Sequence, residues 1–241
     1  MNKFLGVFEE AYLAVKTWAV TTQWLRVLKI GIAVTLAVLL IFVLAGSLVE
    51  AQSMFTISLI PADDESGEGV GLISLSETAD FDTPKAVLDA GGLEGMTNIS
   101  VNWLPPGLDA VDGSHNGEHY IAYTFYVKNA GETTFTLCET INLDSAVLGA
   151  DEAIRVRVYR NGRSTDYAKI GVDGLPEYGT TPFESEDVVV EEKYENFSPG
   201  KIQKYTLVIW LEGDDPECLD NIKGGNVKMS MTFTAEATPQ T

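Results

Sequence analysis

Histidine and cysteine are nearly missing from this chain, with two of each in 241 residues. No H-E-x-x-H pattern, Cys–His pairing, nucleophile elbow or glycine-rich phosphate loop occurs, so the common signatures of metal, acyl-transfer and nucleotide chemistry are lacking. Basic side chains are scarce as well, 16 Lys and Arg against 35 Asp and Glu, for a formal charge of −19. A surface of that sign repels phosphate backbones and argues against nucleic acid as a partner. It suits a domain outside a cell, a basic partner, or divalent cations. Apolar residues are not scarce: at 45% hydrophobic and 10% aromatic, the chain has the makings of a packed fold rather than a disordered one.

The charge is unevenly placed. Up to Glu50, Lys3, Lys16, Arg26 and Lys29 oppose Glu9, Glu10 and Glu50, a balance of +1; the remainder carries 12 basic and 32 acidic side chains, hence −20. Between these halves lies Ile30 to Val49, IGIAVTLAVLLIFVLAGSLV, twenty residues without a charge. As a helix this run covers roughly 30 Å, the thickness of a bilayer's hydrocarbon core. Phe4, Phe8, Tyr12, Val15 and Ala19 recur at helical spacing ahead of it, and Trp18 and Trp24 sit near Arg26 and Lys29. Interfacial Trp with basic residues on the cytoplasmic flank is the expected pattern for a membrane entry. The reading is a juxtamembrane amphipathic helix over 1–29, a transmembrane helix over 30–49, and an extracytoplasmic domain over 50–241, with the N-terminus inside a single-pass cell membrane. Cleavage after Ala51 is the alternative, although the apolar run exceeds the usual 7–15 residues of an export signal.

About 190 residues follow the run, enough for one domain with its own core. Phe55, Ile57 and Leu59 alternate up to Pro61, Gly71–Ser76 reads as a second strand, and 77–97 as a loop with one helical turn. Ile99, Val101 and Trp103 alternate again before Pro105-Pro106-Gly107. Tyr120–Lys128 and Thr133–Leu143 flank Asn129-Ala130-Gly131, which predicts a hairpin. Ala153–Arg160, Lys204–Glu212 and Val227–Phe233 are further strands, with one edge strand near Val188–Val190 inside a long connection over 163–200. About eight strands, each with a single apolar face, imply antiparallel sheets covering one another. The expected fold is an all-β antiparallel sandwich, jelly-roll or Ig-like, behind the two N-terminal helices.

Cys138 and Cys218 form a disulfide candidate, since an exported domain meets an oxidising space; two separate thiols is the alternative. His115 and His119, in GSHNGEHY, have i, i+4 spacing, but Gly113 and Gly117 argue against the helix a metal pair would need. Two acidic loops are calcium candidates, because calcium takes six to eight oxygens from clustered carboxylates on a loop that curls. They are Asp109, Asp112, Asn116 and Glu118, and Asp214, Asp215, Glu217 and Asp220; neither has EF-hand spacing, and solvated turns are the plainer reading. Trp210 lies on the face of its strand opposite Leu207, Ile209 and Leu211, either as an exposed anchor or under the 163–200 connection.

The runs YTFYVKNAGE, AIRVRVYRNG, NFSPGKIQKYTLVIWLEGDDPEC and VKMSMTF, between Tyr120 and Phe233, resemble in layout the TasA and camelysin group of exported Gram-positive matrix and surface proteins. The resemblance implies a jelly-roll-like sandwich, a surface or matrix role, and in some members fibre assembly by strand donation; camelysins are also described as metallopeptidases. This chain departs from the group in its long lead and span. The implied partners are the lipid bilayer, surface or matrix proteins, and further copies of the chain. No cofactor is expected beyond calcium, and no catalytic residue is assigned.

Overall fold

An alternating strand leaves one apolar face to cover, and in this molecule two sheets cover each other. The structure is a computed structural model that describes residues 55–59, 72–93 and 95–237, all within one compact unit, Gln52–Thr241. The amphipathic helix expected over 1–29 and the span expected over 30–49 lie outside the described residues. Among the described residues no helix is long and apolar enough to cross a membrane.

The twelve strands are β1 (Phe55–Leu59), β2 (Ile73–Ser76), β3 (Val87–Asp89), β4 (Gly113–Ser114), β5 (Tyr120–Asn129), β6 (Phe135–Val147), β7 (Ile154–Arg160), β8 (Arg163–Ala168), β9 (Thr181–Pro182), β10 (Val188–Phe197), β11 (Ile202–Leu211) and β12 (Asn226–Ala237). A five-stranded sheet runs β10-β6-β12-β1-β3; a seven-stranded one runs β2-β5-β11-β7-β8-β9, with β4 also on β5. The fold is all-β, with short 3-10 turns as its described helical parts. Pairing is antiparallel except for β1 on β12 and β8 on β9, which are parallel. The expectation of wholly antiparallel sheets is corrected there: β1 lies beside the last strand, Phe55 opposite Met229 through Leu59 opposite Phe233.

The core lies between the sheets. Phe125 on β5 and Tyr205 on β11 meet Phe233 on β12 at ring-centroid distances of 5.9 and 5.3 Å. Ile121, Val127, Val156, Val158, Leu207 and Ile209 from one sheet share the cluster with Leu137, Ile141, Met229 and Met231 from the other. Each such side chain, fully buried, contributes roughly 1.5–3 kcal/mol of transfer free energy.

The outer face of the larger sheet is covered as well. Ala122, Val208 and Trp210 pack under Ile99 and Leu108, and Thr124 and Thr206 hydrogen-bond each other there at 2.7 Å. The segment 98–119 is thus a strap across β5 and β11. Trp210 is buried, as the covered alternative held, but under this strap rather than the 163–200 connection. The strand expected at Ile99–Trp103 is instead a bridge at Ile99 to Glu212 followed by a 3-10 turn, Val101–Trp103, with Ser100 Oγ accepting from Asn102 N.

The hairpin expected across 120–143 does not form. β5 and β6 enter different sheets, because each apolar face gains a whole opposing sheet that way. Asn129 holds the corner: its Nδ2 donates to Thr133 O at 2.9 Å and to Phe197 O at 2.7 Å, and its Oδ1 accepts from Gly131 N at 2.9 Å. A true hairpin occurs at β7–β8, where Arg160 faces Arg163 across Asn161 and Gly162. Their φ values of 50° and 83° are those of a type I′ turn, the form that matches strand twist. The supposed connection 163–200 therefore holds β8, β9 and a ten-residue β10. β10 is a sheet edge whose exposed Glu191, Glu192, Lys193 and Glu195 discourage pairing with another chain.

Candidate functional site

β11 runs out of the larger sheet into the acidic loop 212–220, and this loop meets two neighbours. Asp215 turns back on the loop, accepting Glu217 N at 2.8 Å on Oδ1, while its fully buried carboxylate pairs with Arg155 of β7. Arg155 stands opposite Trp210 in the sheet register. From the loop after β8, Glu177 reaches the same guanidinium at 3.2 Å, and Val172 N donates to Glu217 Oε1 at 3.1 Å. One ligand atom from each of Glu177, Asp215 and Glu217 lies within 4.8 Å of the others. Glu217 Oε2 is buried with no hydrogen-bond partner among the described residues. Burial and then repulsion from Asp215 hold the Glu177 carboxyl above its usual range, against the pull of Arg155. Arg155 pairs with two of these three carboxylates, Glu177 and Asp215, so the group carries an excess of negative charge.

Next to this group lies a cavity of about 280 Å³, walled by Asp166, Glu177, Glu212, Asp214 and Asp215 together with Arg155. The indole N–H of Trp210 and the backbone N–H of Val101 each donate to Glu212 Oε2 at 3.0 Å. Ser100 Oγ donates to Asp214 at 2.6 Å. Arg157 holds Asp166 with two hydrogen bonds, at 2.6 and 2.7 Å, and stacks on the Trp210 ring at 5.4 Å. Tyr178, also lining the cavity, is fully exposed. Arginine pairs and backbone donors thus tie strap, sheet and two loops to one point, with aromatic rings at its rim.

Of the second calcium group, then, Asp215 and Glu217 come together, with Glu177 as a third member. Asp214 faces the adjoining cavity. Asp220 is 92% exposed on its side chain and pairs with Lys223 at 2.8 Å, outside the cluster. The first group is not gathered around a common point. Asp112 accepts from Tyr126 OH at 2.7 Å; burial, then this bond, pushes the tyrosine up to about 12. Asn116 Oδ1 accepts from Ala122 N at 2.9 Å, Asp109 opens a short 3-10 turn, and Glu118 is 88% exposed. These side chains fasten the strap or face solvent.

His115 sits with its two ring nitrogens each 2.8 Å from a carbonyl oxygen, of Gly113 and Leu108. His119 Nδ1 lies 2.8 Å from Thr97 Oγ1. Among the described residues neither histidine joins a group of three metal-ligating side chains. Cys138 and Cys218 are both free: Cys138 is buried near the start of β6, and Cys218 lies in the loop beyond β11, accepting from Asn98 Nδ2 at 3.2 Å. The disulfide candidate is not formed, because the two residues belong to different parts of the sandwich. Burial pushes the Cys138 thiol up.

Arg155 and Glu177 were not legible as site residues. Arg155 left a trace, since Arg155 and Arg157 alternate with Ile154, Val156 and Val158 on the outward register of a strand in a strongly acidic domain. Glu177 left none; only the folding of the 169–180 loop brings it in.

No family model and no curated protein matches the chain. Two solved structures, both of the β-glucosidase from Kluyveromyces marxianus, overlay on part of it. The glucose complex is 9% identical with a TM-score of 0.23, covering 66% of this chain and 15% of the enzyme. The selenomethionine-labelled form is 11% identical with a TM-score of 0.24, covering 75% and 18%. The chain thus spans less than a fifth of the enzyme's length, and likeness at this level carries no argument about activity.

Proposed function

We propose that this protein is a single-pass, membrane-anchored β-sandwich that acts at the cell surface by binding another protein rather than by catalysis. The observation that carries the reading is the loop 169–180. Ile170, Val172, Leu175 and Tyr178 there are 49, 85, 62 and 102% exposed, a closer grouping in sequence than the other exposed large hydrophobic side chains, such as Val87, Trp103 and Leu219. Scattered apolar residues on a surface need no explanation, but several on one loop mark an interaction site. The uncharged run Ile30–Val49, between a +1 lead and a −20 remainder, supports the anchor and its orientation. The described chain crosses repeatedly between its two sheets, as both jelly-roll and Ig-like sandwiches do. The layout resemblance of the sequence to TasA and camelysin proteins supports a matrix or surface role.

Mass analysis of the mature protein, with protease treatment of intact cells, tests this reading. An intact N-terminus in the membrane fraction and digestion of the 50–241 domain from outside are expected. A chain starting at Gln52 would remove the anchor, and full protection of the domain would remove surface display.

One observation favours a second reading, calcium-dependent adhesion: the grouping of Glu177, Asp215 and Glu217 within 4.8 Å. Arg155 among them already supplies positive charge, so only a modest rise in melting temperature on adding millimolar calcium is expected. A rise above about 10 °C, which in a domain of this size needs roughly 3–4 kcal/mol of binding energy, would promote that reading. The metallopeptidase reading rests on the family resemblance alone; tightly held zinc, with activity lost in His119→Ala, would revive it.

A further inference from the structure

We infer that the acidic cavity takes the cationic head of a lysine or arginine from a protein partner, whose neighbouring apolar side chains rest on Val172, Leu175 and Tyr178. The inference rests on the binding role proposed above and names the partner's chemistry. Charge complementarity argues it. Five carboxylates wall the cavity, and two guanidiniums answer them: Arg157 holds Asp166, and Arg155 is shared by Asp215 and Glu177. Among the described residues, Glu212 receives only an indole N–H and backbone N–H groups. Among the same residues, the Asp214 side chain receives only the Ser100 hydroxyl. Glu212, buried in the wall, and Asp214, exposed, thus line the 280 Å³ space without a cationic partner among the described residues, which suits a long cationic side chain, and the free face of Tyr178 suits its alkyl stem or guanidinium.

The apolar loop selects a macromolecule over a free amine. Glu177, Tyr178 and Thr180 of this loop line the cavity, and Tyr178 and nearby Leu175 are exposed, so the loop that walls the cavity also offers apolar surface close to it. The loop is also held in place: Val172 N is fixed to Glu217, Gly171 N to Leu175 O at 3.0 Å, and Thr180 N to Glu177 O at 3.1 Å. A preset apolar rim beside a charged socket is the arrangement by which a buried basic anchor with apolar flanks is recognised.

The test uses the full chain in nanodiscs and three fluorescein-labelled peptides of one leucine-flanked sequence, carrying lysine, Nε-acetyl-lysine or glutamate at the central position. Fluorescence anisotropy is read at low and high salt. The lysine peptide is expected to bind, more weakly at high salt, and the other two at least about tenfold more weakly, the loss of a charge-assisted hydrogen bond. Glu212→Gln and Asp214→Asn should each weaken the lysine peptide alone, whereas Val172→Ser with Leu175→Ser should weaken all three. Asp214 is exposed, so its variant keeps the test open if Glu212→Gln unfolds. Equal binding of lysine and acetyl-lysine peptides, lost in the Val172→Ser, Leu175→Ser chain, overturns the cationic socket but leaves the loop as a binding surface. No binding of any peptide overturns the inference, as does loop-dependent binding of protein-free phosphatidylcholine vesicles in place of peptide.

Discussion

A glutamate and an arginine bridge the two sheets through the interior, and replacing them singly and together should give sharply non-additive losses of stability. Glu139 lies on β6 with a side chain 0% exposed, and Arg160, at the end of β7, is 14% exposed. The guanidinium donates to Glu139 Oε1 from both Nε, at 2.8 Å, and one terminal nitrogen, and to Tyr167 OH at 3.2 Å. Burial alone would lower the Arg160 pKa, but the Glu139 charge raises it. Two charges at this spacing attract by about 4 kcal/mol at an effective dielectric of 20, while moving each from water costs several kcal/mol. Removing one partner strands the other, so Glu139→Leu or Arg160→Met should each cost about 3–5 kcal/mol. The double replacement restores an apolar pair of similar volume and should fall between neutral and about 4 kcal/mol stabilising. Urea unfolding followed by near-ultraviolet circular dichroism, with unchanged m-values, measures all four corners of the cycle. Single losses below about 1 kcal/mol, or a double variant as weak as the sum of the singles, would refute a desolvated pair.

Three further outcomes follow. Asn129→Ala removes the three hydrogen bonds that turn the chain from one sheet to the other and should cost roughly 2–4 kcal/mol in the same assay; a loss under about 0.5 kcal/mol would show the corner is held otherwise. Glu177, with a folded pKa above its ordinary 4.5, holds more protons folded than unfolded, so its contribution to stability falls as pH rises from 4.5 through the folded value. Glu177→Gln should flatten that part of the melting-temperature profile; an unchanged slope would contradict the crowding of carboxylates around Arg155. Cys218, partly exposed, should react with iodoacetamide in the native protein while buried Cys138 reacts only on unfolding; equal native rates would contradict the placement of β6.

The strand faces were readable because their physics is local. Ile121, Tyr123, Phe125 and Val127 alternate with smaller or polar residues whatever they pack against, and so do Val156 and Val158. Partnership was not readable, since a hairpin and a crossing between sheets need the same alternation; only the contacts of Asn129 with Thr133 and Phe197, 68 residues apart for the latter, distinguish them. β8, RSTDYA, carries too few apolar residues to announce itself, because only Tyr167 and Ala168 at its end are buried. Glu139 and Arg160 did leave a signal, each a charge in the inward register of an otherwise apolar strand face. The acidic loop was legible as carboxylates close in sequence, whereas the strap's Asp112 and Asn116 have the same composition and serve backbone and tyrosine instead. Composition alone cannot separate carboxylates that fasten a strap from those that wall a cavity.

Photo-crosslinking in the native cell tests the binding claim most directly, with benzoylphenylalanine at Tyr178 and, as control, at Val87, an exposed position on β3 of the other sheet. The account predicts that Tyr178 captures a defined protein through a lysine- or arginine-bearing segment, that Asp214→Asn reduces the yield, and that Val87 does not capture it. Crosslinks from Tyr178 only to lipid, or equal capture of the same protein from both positions, would contradict it.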